Sequence, residues 1–177
     1  MTERVWDLSL KRQSGLAADI QFCAMKTDSL HNLPLAAFAE TLSNNGIVAG
    51  LEFLNARVAH RCTGIYKLEG ADIRSVYLYD RQGQLRLESL GTVPLKESFC
   101  ELAIRDGMFL TTYSALDERA NGRVMKGVVA AYCGIPLLDR SGQLFGSLCH
   151  FDFVSATLDS DEFEFMHKAA GTLAQYL

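Results

Sequence analysis

Five cysteines and four histidines have the widest chemical repertoire in this chain, and their spacing limits what they can do. Cys23, Cys62, Cys100, Cys133 and Cys149 are far apart, and no two form a Cys-x-x-Cys pair. An odd, scattered set suits neither a structural zinc site nor a secreted disulfide framework, so free and mostly buried thiols are expected. Cys100 is the best placed for chemistry, near the start of a helix expected over residues 96–105. A helix N-terminus favours a thiolate, and a thiolate is a nucleophile. Cys149 and His150 are adjacent within an expected strand, where neighbouring side chains face opposite ways and cannot serve one ligand together. Haem iron would need an axial ligand from His31, His60 or His150, and a lone histidine is usually a hydrogen-bonded structural residue. Serine hydrolysis lacks a Gly-x-Ser-x-Gly elbow, and Gly146-Ser147 reads as an ordinary strand start. Arg119 and Arg123, near Asp117, could offer a guanidinium to a phosphate or carboxylate, or form a solvated loop surface. Phe99, Tyr113, Tyr132 and Phe151 are equally readable as pocket walls and as core. No catalytic residue, metal or cofactor is assigned from these patterns.

Charge narrows the partners. The formal net charge of −4 comes with scattered basic residues, the densest group being Lys11-Arg12, so no nucleic-acid partner is expected. No stretch approaches the ~18–20 apolar residues that cross a bilayer, and residues 1–13 have no apolar segment of signal-peptide length. A soluble, cytoplasmic protein without membrane contact is the expectation. Hydrophobic residues at 49% and charged residues at 21% are ordinary globular usage, and 177 residues suit one domain.

The periodicities place the elements. Residues 1–32 are an appendage without an assigned structure: Trp6, Leu8 and Leu10 alternate, while Leu16, Ile20, Cys23 and Thr27 fit a helical face poorly. From Leu33, with Pro34 suited to a first turn, a helix is expected to about Leu42, interrupted at Asn44-Asn45-Gly46. A second helix over 47–60 shows the stripe Ile47, Val48, Leu51, Leu54 and Val58, with Asn44 or Asn45 as its cap. The period then drops to two for strands at 63–68, 73–80 and, less regularly, 84–90. The 96–105 helix ends at Gly107, and an extended segment follows over 108–113. Residues 114–127 are a polar loop with one helical turn at most. Two apolar strands, 128–138 and 144–153, flank the turn Asp139-Arg140-Ser141-Gly142. Asp159 and Glu162 resemble a capping box before a closing helix striped by Phe163, Met166, Ala170, Leu173 and Leu177. One antiparallel sheet flanked by helices is the simplest architecture.

The last hairpin carries a family resemblance. Tyr132-Cys133-Gly134-Ile135-Pro136-Leu137-Leu138, a turn, and Gly146-Ser147-Leu148-Cys149-His150-Phe151-Asp152 resemble the final strand pair of GAF domains. Leu95-Lys96-Glu97-Ser98-Phe99-Cys100 resembles the opening of the helix before the pocket loops. Asn55-Ala56-Arg57-Val58-Ala59-His60-Arg61 with Thr63-Gly64-Ile65-Tyr66 resembles the approach to the first strand. The likeness covers residues 33–177 and implies an α+β fold, layered α/β/α and GAF/PAS-like, with a sheet of five to six strands. It also implies a ligand pocket on one face and the terminal helices on the other.

What the resemblance implies for function is a sensory domain that binds a small molecule or a protein partner and catalyses nothing. The residues expected at its site are Phe99, Cys100, Tyr113, Asp117, Arg119, Arg123, Tyr132 and Phe151, with Arg119, Arg123 and Asp117 as the rim. Bilin-bearing relatives place a Cys-His pair on a helix, whereas Cys149-His150 sits on a strand, and the Asn-Lys-x-Phe-Asp-Glu pattern of cyclic-nucleotide binders is absent. In the branch that reduces free methionine sulfoxide, Cys100 matches a catalytic cysteine, but residues 117–126 hold no second cysteine and the acidic pair has no clear match. No output domain follows Leu177 in this sequence, so a separate output protein is the expected recipient of any signal. A reading of another class is an interaction module, a homodimer packed through the 47–60 helix and the closing helix.

Overall fold

The computed structural model describes residues 13–177, with side chains from Leu33 onward except Ser89. The alternation at Trp6, Leu8 and Leu10, the Lys11-Arg12 pair and the side chains of Cys23 and His31 lie outside the described residues. Helix α1 spans Gln13–Ala56, so Pro34 stands inside a helix and not in a first turn. The expected interruption is present: Gly46 has φ 82° and ψ −178°, a backbone state that L side chains rarely adopt. Beyond it the chain folds back closely enough that a Cβ at Gly50 would meet Leu42 Cδ2 at 2.4 Å. The helix ends at Ala56, earlier than its apolar stripe suggests, because Arg81 Nη2 donates to the carbonyls of Asn55 at 2.6 Å and Val58 at 2.8 Å.

Residues 38–177 form one compact unit built on a six-stranded antiparallel sheet of order β3-β2-β1-β6-β5-β4. Strands β1 (Cys62–Glu69) and β2 (Asp72–Asp80) make the first hairpin, and β5 (Ala131–Leu138) and β6 (Leu144–Asp152) the second. The two hairpins join through β1 and β6, in a register that sets Gly64 opposite Cys149 and Tyr66 opposite Ser147. The edges are short, β3 (Thr92–Pro94) on β2 and β4 (Phe109–Thr111) on β5. A single antiparallel sheet with helices, as expected from the periodicities, is therefore the architecture.

Five local expectations differ. Residues 114–127 hold two 3-10 turns, Ser114–Leu116 and Glu118–Ala120, where one helical turn at most is expected, the second capped by the Asp117 carboxylate accepting from the Arg119 N–H at 3.0 Å. Residues 84–90 are not a strand: the Asp80 carboxylate takes the N–H groups of Gln82, Gln84 and Leu85, which a ladder would need, and a single helical turn α2 (Leu87–Leu90) follows. The helix expected from residue 96 begins as a 3-10 turn, Leu95–Glu97, and restarts as α3 (Phe99–Asp106). Ser98 makes that break, donating to the Leu95 carbonyl at 2.7 Å and accepting from the Glu101 N–H at 3.3 Å. The strand expected from Val128 starts only at Ala131, since the N–H groups of Val128 and Val129 both turn back to the Met125 carbonyl. The capping box at α4 (Ser160–Leu173) does not form: Asp159 makes no side-chain cap, and Glu162 instead receives Arg57 through two 2.7 Å hydrogen bonds.

The strand alternation gives the sheet two different faces. On one, Ile65, Leu148, Ile135 and Leu137 are buried beneath the 38–56 part of α1 and α4. Phe38, Phe53 and Phe165 stack there with ring centroids 5.7 to 6.3 Å apart, and the Arg57 guanidinium lies 4.1 Å from the Phe165 ring centre. On the other face Cys62, Cys149, Tyr132 and Phe151 meet Phe99, Leu102 and Ala103 of α3, together with Val129 and Phe109.

Candidate functional site

The second face contains a cavity of about 240 Å³. Its floor is the sheet, through Tyr66, Tyr132 and Phe151. The start of α3 supplies Ser98, Phe99 and Cys100, and the loop before β5 supplies Val124, Met125 and Val129. Leu85 and Leu90, between β2 and β3, close another side with Val93 of β3, Ile73 of β2 and Phe153. None of these residues carries a charge.

Two glycines let the tyrosines lie flat on the floor. A Cβ at Gly134 would stand 2.4 Å from the Tyr132 hydroxyl, and one at Gly64 would stand 3.3 Å from the Tyr66 ring. Gly64 and Gly134 both pair with Cys149, so one cross-strand row reads glycine, cysteine, glycine with a ring leaning over each glycine. Tyr132 donates its hydroxyl proton to Cys100 Sγ at 3.5 Å. Burial, then the neighbouring thiols, push the Tyr132 and Tyr66 hydroxyls well above the usual phenol range, and burial pushes the Cys149 and Cys100 thiols up as well. The floor is thus polar but uncharged at neutral pH. Placement near a helix start does not activate Cys100, because desolvation outweighs the hydrogen bonds that favour its thiolate.

Of the residues expected at the site, the structure places Phe99, Cys100, Tyr132 and Phe151 on this cavity. Tyr113, Asp117 and Arg119 border a separate surface depression with Leu110, Thr111 and Leu116. Arg119 is spent there: its Nε and Nη2 donate to Asp117 at 3.0 and 2.7 Å, and Nη2 also donates to the Leu110 carbonyl. That pairing holds the Asp117 carboxyl below the usual carboxylate range. Arg123 does not line the cavity either: its Nη2 donates to Glu101 Oε2 at 2.5 Å and its Nη1 to the Lys96 carbonyl, while its buried Nε has no partner. With the Val124 N–H bonded to the Glu97 carbonyl at 2.9 Å, it ties the loop to the α3 approach. The expected charged rim is therefore not on the cavity. The sequence patterns do not single out Tyr66, Ile73, Leu85, Leu90, Val93, Ser98, Val124, Met125, Val129 or Phe153. The mirrored Gly64-x-Tyr66 and Tyr132-x-Gly134 patterns are the signal that could have revealed Tyr66.

Cys149 and His150 do face opposite ways. Cys149 Sγ is on the cavity side, 3.7 Å from the Gly64 carbonyl, while His150 Nδ1 lies 2.8 Å from Thr63 Oγ1 beneath the helices. Asn55 Nδ2 donates to the same hydroxyl at 3.0 Å and to the His60 carbonyl at 3.0 Å, and its Oδ1 accepts from Arg81 Nε at 3.1 Å. Since Thr63 accepts from Asn55, its one proton is available to the His150 ring nitrogen, which suits a neutral imidazole. Burial pushes His150 down to about 3. Arg61 pairs with Asp80 at 2.7 Å, and the Asp152 carboxylate accepts from the N–H groups of Arg61, Phe153 and Val154. These groups brace the ends of β1, β2 and β6.

No family model matches the sequence, and no curated protein matches it. Solved structures match the fold. The GAF domain of the Acinetobacter phosphoenolpyruvate-protein phosphotransferase superposes with a TM-score of 0.66 at 14% identity, over 82% of this chain and 90% of that one. The GAF domain of the Coxiella burnetii phosphoenolpyruvate-protein phosphotransferase gives 0.65 at 13% identity, over 81% and 90%. The free methionine-R-sulfoxide reductase of Neisseria meningitidis, solved with its substrate, gives 0.63 at 15% identity, over 82% and 87%. The chain has a GAF-like fold. At such identities the likeness is one of fold, shared by GAF domains and reductases alike. Among the described residues no helix is long and apolar enough to cross a membrane.

Proposed function

We propose that this domain binds a small molecule in the cavity over its sheet and serves as a sensory module without catalysis of its own. The observation that carries the reading is the cavity itself: about 240 Å³ left open between a rigid sheet and the covering α3 and loops. Ligand sites are concave and mostly apolar, with a few polar groups on their walls, and this pocket has that character. Its walls come from segments far apart in sequence, so an occupant would couple α3, the 124–129 loop and the β2–β3 connection. The test is a two-dimensional NMR titration of labelled protein with small-molecule extracts of cells. Saturable shifts are expected at Cys100, Met125, Val129 and Tyr132; no saturable shift at any of them defeats the reading.

The reductase structures among the fold relatives, with Cys100 on the cavity wall, favour a second reading, a redox enzyme using that thiol. Against it, burial raises the Cys100 pKa where a nucleophile needs it lowered. A zwitterionic amino acid would also enter a cavity with no charged partner. Wild-type protein is expected to show no turnover of free methionine sulfoxide. Turnover that Cys100→Ser abolishes would install the enzyme reading instead.

A further inference from the structure

Resting on the ligand-binding reading, we infer that the cavity selects an uncharged, single-ring aromatic molecule bearing one O–H or N–H donor, with Tyr132 Oη as the acceptor. Three features of the wall lead there. The first is charge. No Lys, Arg, His, Asp or Glu lines the cavity, and the guanidinium of Arg123, next to Val124 in the chain, is ion-paired with Glu101. An ion placed inside would lose its hydration without gaining a counter-charge, and that cost excludes carboxylates, phosphates and ammonium ions. The second is size and shape. An apolar cavity of ~150 Å³ holds benzene, so 240 Å³ accommodates one substituted ring and not an extended polycycle. Phe99, Tyr132, Phe151 and Phe153 surround it, already packed edge to face (Phe99 with Tyr132 at 5.3 Å, Phe151 with Phe153 at 6.1 Å), an environment in which a further ring finds both edges and faces.

The third feature sets the polarity of the hydrogen bond. Tyr132 gives its proton to Cys100 Sγ, which leaves its hydroxyl oxygen on the cavity floor as an acceptor with no proton to offer. Ser98 is committed in both directions, to the Leu95 carbonyl and from the Glu101 N–H, so it does not compete. A ligand donor is therefore matched at Tyr132 Oη.

The experiment is isothermal titration of the full chain at pH 7.5 with p-cresol, with p-xylene (the same shape, a methyl group replacing the hydroxyl), and with benzoate and benzylammonium. Saturable binding is expected for p-cresol, about two- to tenfold weaker binding for p-xylene, and at least about a hundredfold weaker binding for either ion. In Tyr132→Phe, p-cresol and p-xylene should bind alike. A wild-type protein that binds p-xylene as well as p-cresol overturns the donor assignment, and one that takes benzoate or benzylammonium as tightly as p-cresol overturns the exclusion of charge. In both cases the cavity remains a binding site. If neither p-cresol nor p-xylene binds, while the extract titration shifts the cavity residues, the aromatic class is wrong and ligand binding stands. If the extract also leaves those residues unmoved, both fall together.

Discussion

The two faces of the sheet are made by alternate residues of the same strands, yet they differ in kind. Under α1 and α4, polar groups are buried and tied to one another: Asn55 reaches Thr63, the His60 carbonyl and Arg81, and Thr63 reaches His150. Across the sheet, under α3 and the loops, the corresponding space holds rings, thiols and a void of about 240 Å³. The coverings explain the difference. Long helices present continuous apolar stripes that interlock with a sheet, whereas an eight-residue helix and 3-10 turns cannot tile it completely. The first face is tied together by its polar network, and the second keeps an open pocket.

Breaking the braced face should cost most. Asn55→Ala removes the hub of its network and leaves Arg81 Nε and the His60 carbonyl without partners. A loss of about 3 to 4 kcal/mol in urea unfolding is expected. A loss below about 1 kcal/mol would mean that this face does not anchor the domain. The contrast sharpens when side chains are enlarged on each side. Ala169 of α4 is fully buried, so Ala169→Leu should destabilise by about 2 to 3 kcal/mol through overpacking. Val129→Phe, on the cavity wall, should cost less than about 1 kcal/mol and block p-cresol. Equal costs for the two would show the void to be closed in solution.

Acid should also act through the braced face. The His150 pKa is held near 3 in the fold by burial, against about 6.5 in the unfolded chain. The unfolded state therefore binds the extra proton between those values. The contribution of neutral His150 is complete above pH 6.5 and declines as the pH falls toward 3. The slope is about 1.4 kcal/mol per unit, so about 2 kcal/mol is lost by pH 5. His60, lowered by burial as well, works in the same direction. His150→Gln should flatten the dependence between pH 7 and 5. A profile as steep as wild type would place the sensitivity elsewhere.

How legible this was depended on whether a residue's role is set by its neighbours in sequence. The hairpins, the Gly46 break and the opposed Cys149 and His150 follow from period and local turn chemistry, and these were readable. The strand expected over 84–90 was not a strand because one carboxylate, Asp80, captured its N–H groups from outside the segment. The cavity was harder still. Phe99, Cys100, Tyr132 and Phe151 could be nominated as aromatic or nucleophilic residues in promising segments. Leu85, Leu90 and Val129 reach the wall only because the chain turns where its periodicity says it should extend. Asp117 and Arg119 read as loop charges in the sequence, but in the fold their charges answer each other.

That pair supplies the smallest expected effect and a useful boundary. The Arg119 side chain is 63% exposed, so its ion pair with Asp117 is well solvated. Exposed pairs of this kind contribute ~0–1 kcal/mol. Arg119→Ala also loses the donation to the Leu110 carbonyl and the guanidinium lying 5.0 Å from the Phe109 ring centre, both at the rim of the surface depression. Stability should therefore change by no more than about 1 kcal/mol. The affinity for p-cresol should be unaltered, because none of these contacts touches the cavity wall. The change could travel through Phe109, whose ring sits 5.9 Å from that of Tyr132, or through β4, where Thr111 pairs with Tyr132. A drop in p-cresol affinity of tenfold or more would show that the depression and the cavity act as one site.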